Sequence, residues 1–261
     1  MGGDNPFPLG SQLPTWPKVD FASFGEVEVK PLSRIQQMAA GFLARNWVTI
    51  PHVTHHDEAD VTELEALRRD MISRREDVKI TMLACIIKAA VAALEKFPTF
   101  NSSLDASIKQ LVLKKYFHIG VAVDTPTGLL VPVVRDCNKK SVVQLGQEVA
   151  ELSAKARAKG LAMSEMSGGC FSISSLGAIG GTAFTPIINA PEVAILGAAR
   201  TAWKPRRAQD GGVEWRLMLP LSLSYDHRVL NGADAARFTR FLSEILAQPR
   251  HFGSLDVLPL S

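Results

Sequence analysis

Residues 222–238 read SLSYDHRVLNGADAARF. The first four residues continue the run LMLPLSLSY (217–225), whose apolar positions alternate with the period of a β-strand. Gly232 then opens GADAARFTRFLSEILAQP (232–249), whose apolar spacing is helical. The piece Asp226-His227-Arg228-Val229-Leu230-Asn231-Gly232 is therefore a strand-to-helix junction, a place where side chains project from a rigid support. A histidine there has two readings. It is a satisfied side chain closing a strand, or it is a base at the edge of a cleft. An ordinary imidazole titrates near about pH 6.5 and so can take a proton from a thiol or hydroxyl at neutral pH.

Upstream, CFSISSLGAIGG (170–181) reads as a strand running into a glycine-rich loop. Ser174 and Ser175 lie where the two meet. A hydroxyl there can donate to a developing oxyanion, or it can simply close a turn. The nucleophile pattern GxSxG is absent, and Gly177, Gly180 and Gly181 do not make the dinucleotide pattern GxGxxG. VAILGAART (193–201) and 217–227 read as strands flanking a hairpin at Gly211–Gly212. QLVLKKYFHIGVAVDTPTGLLVPVVRD (110–136) reads as strands joined at DTPTG, where Pro126 and Gly128 supply the turn.

The helices are as legible. Ser33 caps SRIQQMAAGFLARNW (33–47), and FASFGEVEVKPLS before it alternates until that start. Thr62 with Glu65 has the spacing of a capping box. ITMLACIIKAAVAALEKF (80–97) is apolar on most faces, and SVVQLGQEVAELSAKARAKG (141–160) is amphipathic and closed by Gly160. Helices and strands mixed in this order predict one α/β domain around a mixed sheet, over residues 21–261. Residues 1–20, rich in proline and glycine, read as a linker or a cloning remnant.

Composition narrows the function. The chain has 261 residues, 46% apolar and 21% charged, with a formal net charge of +3. That charge is too small to make nucleic acid the expected partner. Three separated cysteines and no CxxC point to reduced thiols rather than a disulfide framework. No apolar run reaches the roughly 18 residues of a membrane span, and no signal peptide is evident, so no membrane partner is expected. His52, His55, His56 and Asp57 in HVTHHDEAD (52–60) invite a metal reading, but no supporting ligand motif appears elsewhere, and no metal is expected. Arg68, Arg69, Arg74, Arg75, Lys114 and Lys115 form either a solvated face or a phosphate-binding set.

Taken together, four stretches resemble one family. SYDHRVLNGADAARF (224–238), FSISSLGAIGGTAFTPIINAPEVAILG (171–197), KKYFHIGVAVDTPTGLLVPVVRD (114–136) and RNWVTIPHVTHHDEADVTELEALR (45–68) are similar to the catalytic core of dihydrolipoyl acyltransferases, the core components of 2-oxo acid dehydrogenase complexes. RNWVTIPHVT and SLSYDHRV resemble in particular the acetyltransferases of the pyruvate dehydrogenase group. A more distant similarity is to chloramphenicol acetyltransferase, which implies that fold: a mixed sheet flanked by helices in one domain.

The resemblance implies acetyl transfer between dihydrolipoamide and coenzyme A, with the lipoyl group carried on a separate domain. It implies His227 as general base and Ser174 as oxyanion donor. It implies Asn231 as a third catalytic residue, where the family commonly has aspartate and some acetyltransferases of this group have asparagine; an amide orients the loop by hydrogen bonding but supplies no carboxylate. The coenzyme A side maps onto Arg68, Thr81, Asp124, Ser174 and Ser175. The resemblance further implies a homotrimer with active sites between subunits, and trimers assembling into a larger core through C-terminal residues. The tail HFGSLDVLPLS (251–261) departs from the family's usual ending, so the trimer is the firmer expectation. Other complex components would bind through upstream domains, in a bacterial cytoplasm rather than a mitochondrial matrix. Succinyl or branched-chain transfer, antibiotic acetylation and a catalytically silent scaffold are the rival readings.

Overall fold

The Ser33 hydroxyl accepts the Gln36 N–H while the Gln36 side chain accepts the Ser33 N–H, and this reciprocal cap starts α1 (Arg34–Thr49). The computed structural model describes residues 17–74 and 80–252. After α1 come β1 (His52–Asp60), α2 (Thr62–Arg74) and α3 (Met82–Lys96). Short strands follow: β2 (Ser102–Leu104), β3 (Leu111–Leu113), β4 (Ile119–Val121), β5 (Val123–Thr125), β6 (Gly128–Leu130) and β7 (Val133–Val134). Then α4 (Val142–Lys159), α5 (Met163–Met166), β8 (Phe171–Ser175), β9 (Ala194–Ala198), β10 (Ala202–Arg207), β11 (Val213–Asp226) and α6 (Gly232–Leu246) complete the order.

Seven strands make the main sheet, in the order β1-β11-β9-β8-β4-β7 with β10 added to β11. β8 runs parallel to β9 and β4, and the remaining pairs are antiparallel, so the sheet is mixed as predicted. β11 is the longest strand, flanked by β1, β9 and β10. Leu217, Leu219, Leu221, Leu223 and Tyr225 face the main core, with Phe171 and Ile173 of β8 and Leu196 of β9. α3 buries nine residues in the same core, and α6 adds Phe238 and Leu242. Each such Leu, Ile or Phe contributes about 2 kcal/mol by leaving water. α3 also carries Lys88, whose Nζ donates to the carbonyls of Asn138 and Lys140; burial lowers its pKa. The opposite face of the sheet carries Ser172 and Ser174 of β8, Gly197 of β9 and Ser222, Ser224 and Asp226 of β11.

Three expectations change. Thr62 is not a cap: its hydroxyl donates to Asp60 Oδ1 and accepts the Leu217 N–H, and Glu65 is engaged by Arg68 and Arg69 instead of closing a box. The hairpin at Gly211–Gly212 joins β10 to a β11 that begins at Val213, because the polar and aromatic residues 202–216 pair as an exposed ribbon without any core-facing pattern to announce it. The alternation of FASFGEVEVKPLS joins no sheet; it forms a 3-10 turn at Phe21–Ser23 followed by exposed chain. Of the stretch read as a linker, residues 1–16 lie outside the described residues, as do Arg75 and the tail beyond Phe252. Among the described residues no helix is long and apolar enough to cross a membrane.

Candidate active site

β11 ends at Asp226 because that residue turns the chain. Its carbonyl accepts the N–H groups of both Val229 and Leu230, each at 3.0 Å. Its carboxylate, 2% exposed, accepts the Arg228 backbone N–H at 3.0 Å and the Arg228 guanidinium at 2.9 and 2.5 Å. The acid and the arginine clasp each other across the intervening residue, which fixes the backbone at His227. The His227 N–H donates to Pro51 O at 3.0 Å, and its ring lies 5.8 Å from that of Tyr225. The imidazole is exposed, and among the described residues neither ring nitrogen has a hydrogen-bond partner. Asn231 caps α6: its side chain accepts the Asp234 N–H, and Asp234 accepts the Asn231 N–H. An aspartate could cap equally well.

The serines occupy the other end of the sheet. Ser174 lies on the Ser172 face, and Ser175 points with Phe171 and Ile173 toward the helices. Ser174 is in register with Gly197, and Gly197 with Ser222. His227 stands five residues beyond Ser222 along β11. Five residues at ~3.4 Å each, and two strand spacings of ~4.8 Å, separate the two side chains by roughly 20 Å. Within one chain His227 and Ser174 cannot attend the same reacting carbon.

The residues expected to hold coenzyme A gather nearer the serine end. The β4–β8 ladder continues through the Ala122 N–H to Ile173 O, which carries Asp124, exposed on β5, to the level of the serines. α2 starts at the same end, where the Val61 N–H meets Leu217 O. Arg68 of α2 and Thr81 are brought together: Arg68 donates to Ile80 O at 2.9 Å, and Thr81 caps α3 by accepting the Ala84 N–H. Arg68 is also bound by both oxygens of Glu65, at 2.7 and 2.8 Å, which lowers the Glu65 pKa and raises that of Arg68. An incoming phosphate would meet an ion pair rather than a bare guanidinium.

Of the metal candidates, His52 has both ring nitrogens committed. Nδ1 donates to Ile50 O, and Nε2 accepts the Ile188 N–H, so the ring is the neutral Nδ1–H tautomer. His56 Nδ1 bonds Ser222 Oγ at 2.9 Å. An open groove of about 580 Å³ along β1, lined by His56, Glu58, Arg206 and Arg240, contains none of the expected site residues.

Three features escape sequence reasoning: the Asp226–Arg228 clasp, the anchoring of Ile188, whose N–H donates to His52 Nε2 and whose carbonyl accepts from Asn46 Nδ2, each at 3.0 Å, and Glu192. The Glu192 carboxyl is 4% exposed, its Oε2 has no partner among the described residues, and burial pushes its pKa up to about 7 despite Ser172, Lys114 and Asn189 nearby. An acid placed directly before the apolar run VAILG was the available signal.

Residues 24–253 match the family of 2-oxoacid dehydrogenase acyltransferases, catalytic domain. The chain belongs to that family. The dihydrolipoyllysine-residue acetyltransferase component of the pyruvate dehydrogenase complex from Cupriavidus necator is 58% identical over 238 residues, which is 90% of this chain and 42% of that one. The chain thus spans less than half the length of such relatives. A solved structure of Azotobacter vinelandii dihydrolipoamide acetyltransferase, studied for the catalytic roles of a serine, a histidine and an asparagine, superposes with a TM-score of 0.89 at 52% identity, covering 92% of this chain and 99% of that one. The cubic core of a pyruvate dehydrogenase multienzyme complex gives the same TM-score at 53% identity, with the same coverage. Chloramphenicol acetyltransferase, at 13% identity and a TM-score of 0.53 over 79% of this chain and 94% of that one, shares the fold, as the sequence similarity implied.

Proposed function

We propose that the chain transfers an acetyl group between dihydrolipoamide and coenzyme A, with His227 of one copy and Ser174 of another at each site. The observation that carries this is the separation of an exposed, rigidly presented His227 from Ser174 at the far end of the same sheet. Only a contact between copies unites them. Phe21, Phe24, Val29, Phe42 and Trp47 stand exposed on the arm and on α1, an apolar surface of the kind that such contacts cover.

His227 takes the proton from the attacking thiol. The new S–C bond forms at the thioester carbonyl carbon, and the oxygen that becomes negative accepts the Ser174 hydroxyl. The C–S bond to the leaving thiol then breaks, and the imidazolium returns its proton to that sulfur. One preplaced donor at the oxyanion is worth about 3 kcal/mol. No acyl-enzyme is involved. The serine, histidine and asparagine studied in the Azotobacter protein match Ser174, His227 and Asn231 in kind. In this reading Asn231 orients the His227 loop through its cap. Arg68, Thr81, Asp124 and Ser175 line the coenzyme A approach, Arg68 by exchanging part of its Glu65 pairing for phosphate.

The copies form a homotrimer, and trimers build a cubic core like that of the solved complex. The lipoyl group comes from a separate domain, and the setting is a bacterial cytoplasm, as the bacterial relatives suggest. The test is transfer from acetyl-CoA and from succinyl-CoA to dihydrolipoamide. Acetyl transfer that disappears in His227→Ala supports the reading. No transfer by a well-assembled oligomer refutes it and leaves a scaffold.

A further inference from the structure

We infer that His52 is a positioning residue for His227: its ring ties together the two stretches of chain from which the His227 turn hangs. The inference rests on the reading of His227 as the base and adds what keeps that base in direction.

The turn at 226–227 is suspended from two carbonyls. The Asp226 N–H donates to Val193 O at 2.8 Å, and the His227 N–H donates to Pro51 O at 3.0 Å. Pro51 directly precedes β1 and Val193 directly precedes β9, so the two acceptors come from distant parts of the chain. His52 joins them. Its Nε2 accepts the N–H of Ile188, on the stretch that leads into Val193, at 3.0 Å. Its Nδ1 donates to Ile50 O at 2.8 Å, which folds the ring back around Pro51. One end of the imidazole therefore holds the Pro51 side of the turn, and the other holds the Val193 side.

Neighbouring residues fix this joint. Asn46, 3% exposed, donates to Ile188 O, so both backbone groups of Ile188 are held by side chains. The Asn46 amide is oriented in turn by Arg45, which donates to its Oδ1 at 3.1 and 2.8 Å. The Ile50 N–H closes on Asn46 O, and the side chains of Ile50, Ile188 and Ile195 pack together. Trp47 stacks on the His52 ring with centroids 5.5 Å apart. Ile188 is completely buried, so its N–H finds no water when the ring is removed. The two stretches must then shift to satisfy that donor, and Pro51 O and Val193 O lose their fixed separation. His52 acts only through these backbone groups. A small misplacement of a reacting group costs rate rather than substrate affinity.

The test measures kcat and the KM values for acetyl-CoA and dihydrolipoamide in the assembled wild type and in His52→Gln, His52→Asn and His52→Ala, with His227→Ala as the reference. A glutamine amide oxygen reaches as far as Nε2 and can accept the Ile188 N–H; an asparagine amide reaches only as far as Nδ1. In His52→Asn and His52→Ala kcat is expected to fall about tenfold or more, with both KM values within twofold of wild type. His52→Gln is expected to recover most of that loss. Should His52→Ala fail to assemble, the other two variants decide. A kcat within twofold of wild type in every assembled variant overturns the inference, whatever the KM values do. Equal losses in His52→Gln and His52→Asn overturn it too, since the ring would then serve only as packing. Full turnover in His227→Ala removes the reading beneath it as well.

Discussion

The two ends of the main sheet hold the proposed base and the proposed oxyanion donor by different physics. At the Asp226 end, charge does the holding: a buried carboxylate closes on Arg228 and on the backbone, and His227 is turned outward between them. At the Ser174 end, volume does it: a strand ladder fixes the serine, and an aromatic ring rests where Gly197 lacks a side chain. A general base must be reachable yet fixed in direction, and a buried ion pair supplies direction without covering the ring. A hydroxyl donor needs only a fixed strand and a shaped neighbour. The charged end should therefore be sensitive to loss of a partner, and the packed end to a change of size.

The largest effects test whether the ends work together. His227→Ala should lower turnover by about 10³-fold, since a positioned base contributes roughly 10²–10⁴-fold. Ser174→Ala should cost about 10²-fold or more. Unfolding both variants together and reassembling them should restore activity at roughly a quarter of the sites, because symmetric interfaces then join an intact His227 to an intact Ser174. A mixture as inactive as its parents would place the whole site in one chain and end the comparison.

Arg228→Ala should destabilise the fold by about 3 kcal/mol, since the Asp226 carboxylate stays buried without its counter-charge. Chemical denaturation measures this, and a loss below about 1 kcal/mol would mean that the backbone bonds alone hold the turn.

Glu192 gives an effect of comparable size confined to part of the pH range. Its pKa rises on folding from 4.5 to about 7, so the folded state holds a proton that the unfolded state has released. The stability this contributes is complete below pH 4.5 and is lost as pH rises through 7, amounting to roughly 3 kcal/mol. Lys114 and Cys170 are the titratable groups that interact with it. Glu192→Gln should abolish that decline, seen as a melting temperature that no longer falls between pH 5 and 8 relative to wild type. Parallel curves for the two proteins would show that the carboxyl is ionised throughout.

The smallest effect is at the α6 cap. Asn231→Ala should cost about 1 kcal/mol and Asn231→Asp almost nothing. If Asn231→Asp instead changes turnover at unchanged stability, the side chain acts on the reaction beyond its cap.

Local pattern made most elements legible. The Ser33 cap, the apolar α3 and the closing Gly160 each act within a few residues, so their spacing alone announces them. β10 was invisible because an exposed ribbon has no buried face to impose a period on its sequence. Thr62 misled because its hydroxyl found Asp60 and Leu217, one of them more than a hundred residues away, before its own helix. His227, Ser174 and the four stretches around them marked the family because four resembling stretches in one order are far more specific than any single motif.

By itself, then, the sequence determined the kinds of group present, the order of the long helices and of most strands, and the family to which the chain belongs. Only the tertiary structure decided that Ser174 lies beside Gly197 and Phe184, that Arg68 is already paired with Glu65, and that His227 stands roughly 20 Å from the serine of its own chain. The reason is register. A sheet with period two assigns each side chain a face and a height, and which strands lie side by side is set by contacts between residues far apart along the chain.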